Sequence, residues 1–236
     1  MSAVMRRVGH KGADAIVLGN TTASFDAALN CGVDMIEFDV LPEPGSGRLV
    51  MAHDPDDARG RPVQTLAEGL AHLAGAEVEL DVDLKAPGYE LAVLEALRGH
   101  DLVERTLVSS QHRSSLALLR GAEPGLRLGW SVPKVRRDPF RSRVTAVPAA
   151  VGLFAYREAL PARAAAAFRS SAVDALMAHW RLVTPRLARA VREAGGALYV
   201  WTVDEPALLK RLAALGVDGV ISNDPRLFTQ SSSALR

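Results

Sequence analysis

Two carboxylates spaced two residues apart, Glu37 and Asp39, lie in an apolar stretch of Val33, Met35, Ile36, Phe38 and Val40, and a second short apolar piece ends in His53 and Asp54. Read as a strand, the stretch puts side chains two apart on one face, so the two carboxylates converge. Paired carboxylates in an apolar run are costly unless a cation or hydrogen bonds compensate, and two oxygen ligands from one strand suit a hard divalent metal. A surface strand with an acidic face would carry the same pattern, and a glutamate two before an aspartate is common. The structural context decides between them.

A third acid joins if the strand Glu77 to Lys85 belongs to the same sheet. Val78, Leu80, Val82 and Leu84 alternate strictly with Glu79, Asp81, Asp83 and Lys85. Such a strand is either half solvated or part of a barrel whose polar interior face lines a site at the open end. In the barrel, Asp83 and Lys85 stand beside Glu37 and Asp39.

The elements that must position these residues alternate along the chain. Strands begin near Val4, Met35, Val78, Thr106, Leu126, Val173, Leu198 and Gly219, and helices are expected at Asn20 or Thr21 to Cys31, Leu66 to Leu73, Glu90 to Arg98, Ser114 to Arg120, Ala149 to Glu158, Ala162 to Phe168, Pro185 to Ala194 and Glu205 to Leu215. Eight strands alternating with helices predict a single (β/α)8 TIM barrel over residues 1–230, with 231–236 as a loose tail. Leu49 to Met51 either extends the second strand or pairs with it. His10, Glu37, Asp39, Asp83, Lys85 and Trp201 then all fall toward the carboxyl ends of strands, the face where such barrels carry their sites. The segment from Pro133 to Pro148 is basic and has no clear helical pattern; a solvated loop and a substrate contact are both open for it.

With 236 residues, 48% apolar and 23% charged, the chain suffices for one large core and is not disordered in bulk. A formal charge of +1 supplies no general field for nucleic acid or an anionic membrane, so any phosphate affinity is local. The single cysteine, Cys31, excludes an internal disulfide, and its neighbours Ala28, Leu29 and Val33 suggest a buried thiol. Without a signal-like start or a spanning segment, a cytoplasmic protein is expected. The oligomeric state is not legible.

His10-Lys11-Gly12, Asn20-Thr21 with Phe25, Ile36-Glu37-Phe38-Asp39-Val40, His53-Asp54, Leu84-Lys85, Trp201-Thr202-Val203 and Gly216-Val217-Asp218-Gly219-Val220 occur in an order that resembles the glycerophosphodiester phosphodiesterase family over nearly the whole chain. The resemblance implies a metal-dependent barrel, with Mg2+ or Ca2+ as the cation, that cleaves glycerophosphodiesters to glycerol 3-phosphate and an alcohol. It implies His10 and His53 as the acid/base pair, Glu37, Asp39 and Asp83 as metal ligands, Lys11 and Lys85 on the phosphate and Trp201 against the glycerol. The implied partner is a small phosphodiester, not a nucleic acid.

Four positions depart from the family pattern, which has arginine at Lys11, glutamate at Gly19, glutamate at Asp83 and aspartate at Asn223. Lysine is a flexible point charge where arginine is a planar fork, and Asp83 is one methylene short. A carboxylate at 19 would orient an arginine at 11, so the two changes are expected to compensate each other, with Lys11→Arg alone restoring little. These departures also leave open a barrel that binds a phosphorylated ligand with little turnover. A lyase or aldolase using Lys85 as an amine is a third reading, and nothing in the sequence lowers its pKa.

Overall fold

The computed structural model describes residues 4–132 and 143–230. The tail at 231–236 and most of the basic segment, 133–142, lie outside the described residues. Among the described residues the strands are β1 (Arg6–Gly9), β2 (Met35–Pro42), β3 (Leu49–Met51), β4 (Glu79–Leu84), β5 (Thr106–Ser110), β6 (Arg127–Val132), β7 (Ala175–His179), β8 (Ala197–Trp201) and β9 (Gly219–Ser222). All pair in parallel except β3, which runs antiparallel to the end of β2. Pairing of β1 with both β2 and β9 closes the eight parallel strands into the expected barrel.

Period-two alternation does the sorting. Val8, Met35, Leu107, Met177, Tyr199 and Ile221 fill the barrel interior. Ile36, Phe38, Val40, Leu80, Val82 and Leu84 face the helices in the main core. The acids of β2 and β4 therefore point inward, and β2 is buried from Met35 to Leu41. A solvated acidic strand is excluded for both segments.

The helices are α1 (Thr22–Asn30), α2 (Pro55–Gly60), α3 (Leu66–Ala74), α4 (Glu90–Gly99), α5 (Arg113–Ala122), α6 (Arg143–Arg169), α7 (Pro185–Glu193), α8 (Pro206–Leu215) and α9 (Arg226–Gln230). Local chemistry sets their ends. Thr21 caps α1 through Ser24 N, and Thr65 and Glu68 form a reciprocal capping box on α3. Asp54 accepts from Asp56 N and Asp57 N at the start of α2, which the sequence pattern did not announce. The largest difference is α6: one helix replaces the two expected, running through Pro148 and Pro161. Leu160, Ala164, Ala167 and Phe168 pack in the core on either side of Pro161, and that burial outweighs the lost backbone bond. Cys31 is half-buried, not enclosed, because it sits at the exposed end of α1. No helix among the described residues is long and apolar enough to cross a membrane.

Candidate active site at the carboxyl ends of the strands

Register brings the acids together. Glu37 lies beside Asp81, and Asp39 beside Asp83, across the β2–β4 ladder. Glu37, Asp39 and Asp83 each offer an oxygen within 4.8 Å of the other two, a grouping that could hold a metal ion. Asp83 reaches the cluster despite its shorter side chain.

Every member is held by named contacts. Lys11 N donates to Glu37 Oε2 at 2.8 Å, and Gly12 N donates to Glu37 O at 3.1 Å. Asn20 brackets Asp39, donating Nδ2 to Oδ2 at 2.9 Å while accepting the Asp39 N–H at 3.0 Å. His53 Nδ1 lies 3.2 Å from the same Asp39 Oδ2, and the ring is about half exposed. Ser109 Oγ donates weakly to Asp83 Oδ1 at 3.4 Å. His10 places Nε2 3.8 Å from Glu37 Oε2 and Nδ1 2.5 Å from Asn223 Oδ1.

The basic groups lie differently from expectation. Lys85, expected on a phosphate, has its ammonium between the carboxylates of Asp39 and Asp83, 2.6 Å from Asp83 Oδ2. The Lys11 ammonium turns to Asp14 Oδ2 at 3.4 Å. Asp14 also accepts from Gly19 N at 3.0 Å, so it already supplies the carboxylate that the family pattern puts at 19. The carboxylate beside Lys11 is therefore that of Asp14. Trp201, at the end of β8, donates Nε1 to Met177 O at 3.0 Å and meets the His179 ring edge-on, centroids 5.1 Å apart.

Electrostatics follow from crowding acids in a buried pocket. Burial, then the charge of Asp39, hold the Glu37 carboxyl well above the ordinary carboxylate range. Asp39 goes the other way: burial opposes its ionisation, but the Lys85 ammonium and the His53 hydrogen bond outweigh that and hold it well below. Burial also depresses the His10 imidazole, against the pull of Asp39. One layer deeper, Asp81 is pushed up to about 8, chiefly by burial. For Lys85, burial alone would lower the ammonium; Asp39, Asp83 and Glu37 together raise it well above its usual value. An amine so held is a poor nucleophile, which removes the support for a lyase or aldolase.

The residues present fit a hard divalent cation. The donors are all carboxylate oxygens, buried or half-buried, and Asp39 Oδ1 is met by the Lys85 ammonium, a cation already drawn to the place. Their surplus negative charge is the kind a divalent ion neutralises.

Sequence reasoning placed six of the eight candidate site residues toward one face but did not assign the groups that hold them, Asn20 and Asp14. Asn20 entered as a helix start and as part of the Asn20-Thr21 motif with no tie to Asp39, although asparagine is among the few residues that tolerate the left-handed backbone it adopts, with φ 58°.

The architecture matches known proteins. The model of the glycerophosphoryl diester phosphodiesterase family matches residues 61–227. A glycerophosphodiester phosphodiesterase of Caldanaerobacter subterraneus subsp. tengcongensis is 23% identical, over 92% of this chain and 93% of the relative. One from Arabidopsis thaliana is 25% identical, over 96% and 73%. Among solved structures, a phosphodiesterase of Oleispira antarctica in complex with the product sn-glycerol-3-phosphate superposes with a TM-score of 0.72 at 20% identity, over 98% of this chain and 97% of that one. A glycerophosphodiester phosphodiesterase of Parabacteroides distasonis gives 0.75 at 16%, over 100% and 98%. With a family match over more than half its length and a closed barrel carrying the acids at its mouth, this chain belongs to the glycerophosphoryl diester phosphodiesterase family, a family of phosphoric diester hydrolases.

Proposed function

We propose that this protein hydrolyses glycerophosphodiesters to sn-glycerol 3-phosphate and an alcohol, using a divalent cation, Mg2+ or Ca2+, held by Glu37, Asp39 and Asp83. The observation that carries this reading is the convergence of those three carboxylates within 4.8 Å, with His10 and His53 each beside one of them. A bound divalent ion supplies charge neutralisation for the phosphoryl oxygens. The protein's own groups do the rest.

Water adds at phosphorus as the bond to the alcohol oxygen breaks. In-line displacement needs one group to take the proton of the attacking oxygen and another to protonate the departing alkoxide. His10 and His53 are the pair assigned to these tasks. They approach the acidic cluster from different connections, those after β1 and after β3, and lie beside different carboxylates. Lys11 lies at the same mouth with its backbone N–H on Glu37, and its flexible ammonium can leave Asp14 for a phosphoryl oxygen. Lys85 balances the charge of Asp39 and Asp83 from within. Trp201, at the end of β8, is assigned as an aromatic wall for the glycerol; the solved Oleispira phosphodiesterase of this fold binds the product sn-glycerol-3-phosphate.

The test is formation of sn-glycerol 3-phosphate from glycerophosphocholine, followed by a coupled dehydrogenase, with chelator-treated protein before and after adding Mg2+ or Ca2+. Product is expected only with the metal. No turnover of any glycerophosphodiester under either condition, with glycerol 3-phosphate still bound, would replace the enzyme by a phosphorylated-ligand-binding barrel.

A further inference from the structure

Asn223, one residue past β9, is gripped at both ends of its amide. Oδ1 faces His10 Nδ1 at 2.5 Å, while Nδ2 donates to Asp204 Oδ2 at 2.7 Å. Asp204 Oδ1 also accepts the Asn223 backbone N–H at 2.8 Å and the Ser222 hydroxyl at 3.0 Å. The two ends of an amide have nearly the same shape, so only their partners decide which one faces the histidine. A carboxylate accepts and never donates, so the NH2 end must face Asp204. The oxygen end then faces His10, accepts from Nδ1–H, and leaves a lone pair on Nε2. That nitrogen is the one directed at Glu37, 3.8 Å away.

We propose that Asp204 is a positioning residue that fixes the sense of the Asn223 amide and, through it, the His10 tautomer in which Nε2 faces the acidic cluster unprotonated. The assignment rests on the reading of His10 as an acid/base group. Without Asp204 the amide is free to turn over. Its NH2 would then meet Nδ1, which must accept, and the ring proton would move to Nε2. The proton merely changes nitrogen, so nothing is oxidised or reduced.

The partners also define a rescue. In the exchange Asp204→Asn with Asn223→Asp, the Oδ1 of residue 204 still accepts from the backbone N–H of 223 and from Ser222, its new NH2 donates to the carboxylate at 223, and that carboxylate accepts from His10 Nδ1–H whichever way it is turned. The experiment compares wild type, Asp204→Ala and the exchanged pair by imidazole 15N shifts of histidine-labelled protein and by kcat and KM for glycerophosphocholine with Mg2+. Wild type should show His10 protonated on Nδ1. Asp204→Ala should mix or reverse the tautomer and lower kcat by about tenfold or more, within the range lost with general acid–base help, while KM moves by about twofold at most. The exchanged pair should recover the Nδ1–H signature and most of kcat. An unchanged tautomer in Asp204→Ala, or a loss that the exchanged pair does not recover, would overturn the proposal. The 15N measurement needs no turnover, so an inactive wild type would count against the proposed reaction and leave this test standing.

Discussion

Replacing Gly19 by the glutamate of the family pattern should damage this protein unless Asp14 is removed at the same time. A Cβ at Gly19 would lie 2.4 Å from Asp14 Oδ1 and 2.8 Å from Lys11 Cβ, well inside van der Waals contact. Asp14 would have to leave, losing the bond from Gly19 N and the Lys11 ammonium. The hydrogen bond is worth about 0.5–1.5 kcal/mol net and the partly exposed ion pair about 0.2–1 kcal/mol. With two carboxylates then crowded beside one lysine, Gly19→Glu should cost about 1–3 kcal/mol. Asp14→Ala alone should cost roughly 1 kcal/mol for the same two contacts. Together they remove the clash with Asp14, leaving only the 2.8 Å approach to Lys11 Cβ for a small shift of the loop to relieve, and give Lys11 a new carboxylate, so the double variant should be more stable than the sum of the single effects by on the order of 1–2 kcal/mol. Urea unfolding of the four proteins at pH 7, followed by tryptophan fluorescence, measures the cycle. Additivity within about 0.5 kcal/mol would refute the idea that Asp14 occupies the place of the missing glutamate. The same geometry gives Lys11→Arg a partner already in place, so that single change should raise phosphodiester turnover, contrary to what the sequence pattern suggested.

Asp81 should make stability fall with rising pH: its folded pKa of about 8 lies above the unfolded value of about 3.9, so the native state keeps a proton that the unfolded state releases, and its contribution, full below about pH 4, is lost as pH climbs to 8. Asp81→Asn should therefore gain on wild type between pH 6 and 8 by up to about 3 kcal/mol in chelator-containing urea titrations, at about 1.4 kcal/mol per unit; parallel curves would contradict the buried neutral acid. His10→Ala and His53→Ala should each lower kcat by about two to four orders of magnitude in the glycerophosphocholine assay, and near-normal turnover would remove that histidine from the chemistry. Asn20→Ala, which unhooks Asp39 Oδ2, should weaken cation affinity by about 10- to 100-fold in a calorimetric titration, with unchanged affinity showing that Asn20 only shapes its loop.

Much of this was legible because it rests on periodicity. Alternation in β2 and β4 put Glu37, Asp39, Asp81 and Asp83 on one side of their strands, and the eight-fold alternation of elements told which side was the barrel interior. What escaped depends on partners far apart in sequence or on backbone geometry. Asn20 reaches Asp39 only because its backbone turns left-handed, and Asp14 reaches Lys11 only because the loop after β1 folds back on itself. Asp204 and Asn223 follow different strands, and only the parallel pairing of β8 with β9 brings them together. The prolines of α6 misled for the opposite reason: local propensity forecast a break, and tertiary burial overrode it. Lys85 was placed on the right face, yet its target depends on Asp39 and Asp83 standing side by side across the ladder, which no single strand reveals.

The central claim is that Glu37, Asp39 and Asp83 bind one divalent cation against the phosphate of a glycerophosphodiester. Anomalous diffraction from crystals soaked with Mn2+ and glycerol 3-phosphate tests it most directly. A single Mn2+ peak is expected, with oxygens of all three carboxylates and of the phosphate at about 2.0–2.6 Å, the Lys85 ammonium moved off Asp39, and no peak in Glu37→Gln crystals. Glycerol 3-phosphate bound at the barrel mouth with no anomalous peak at the three acids would contradict it.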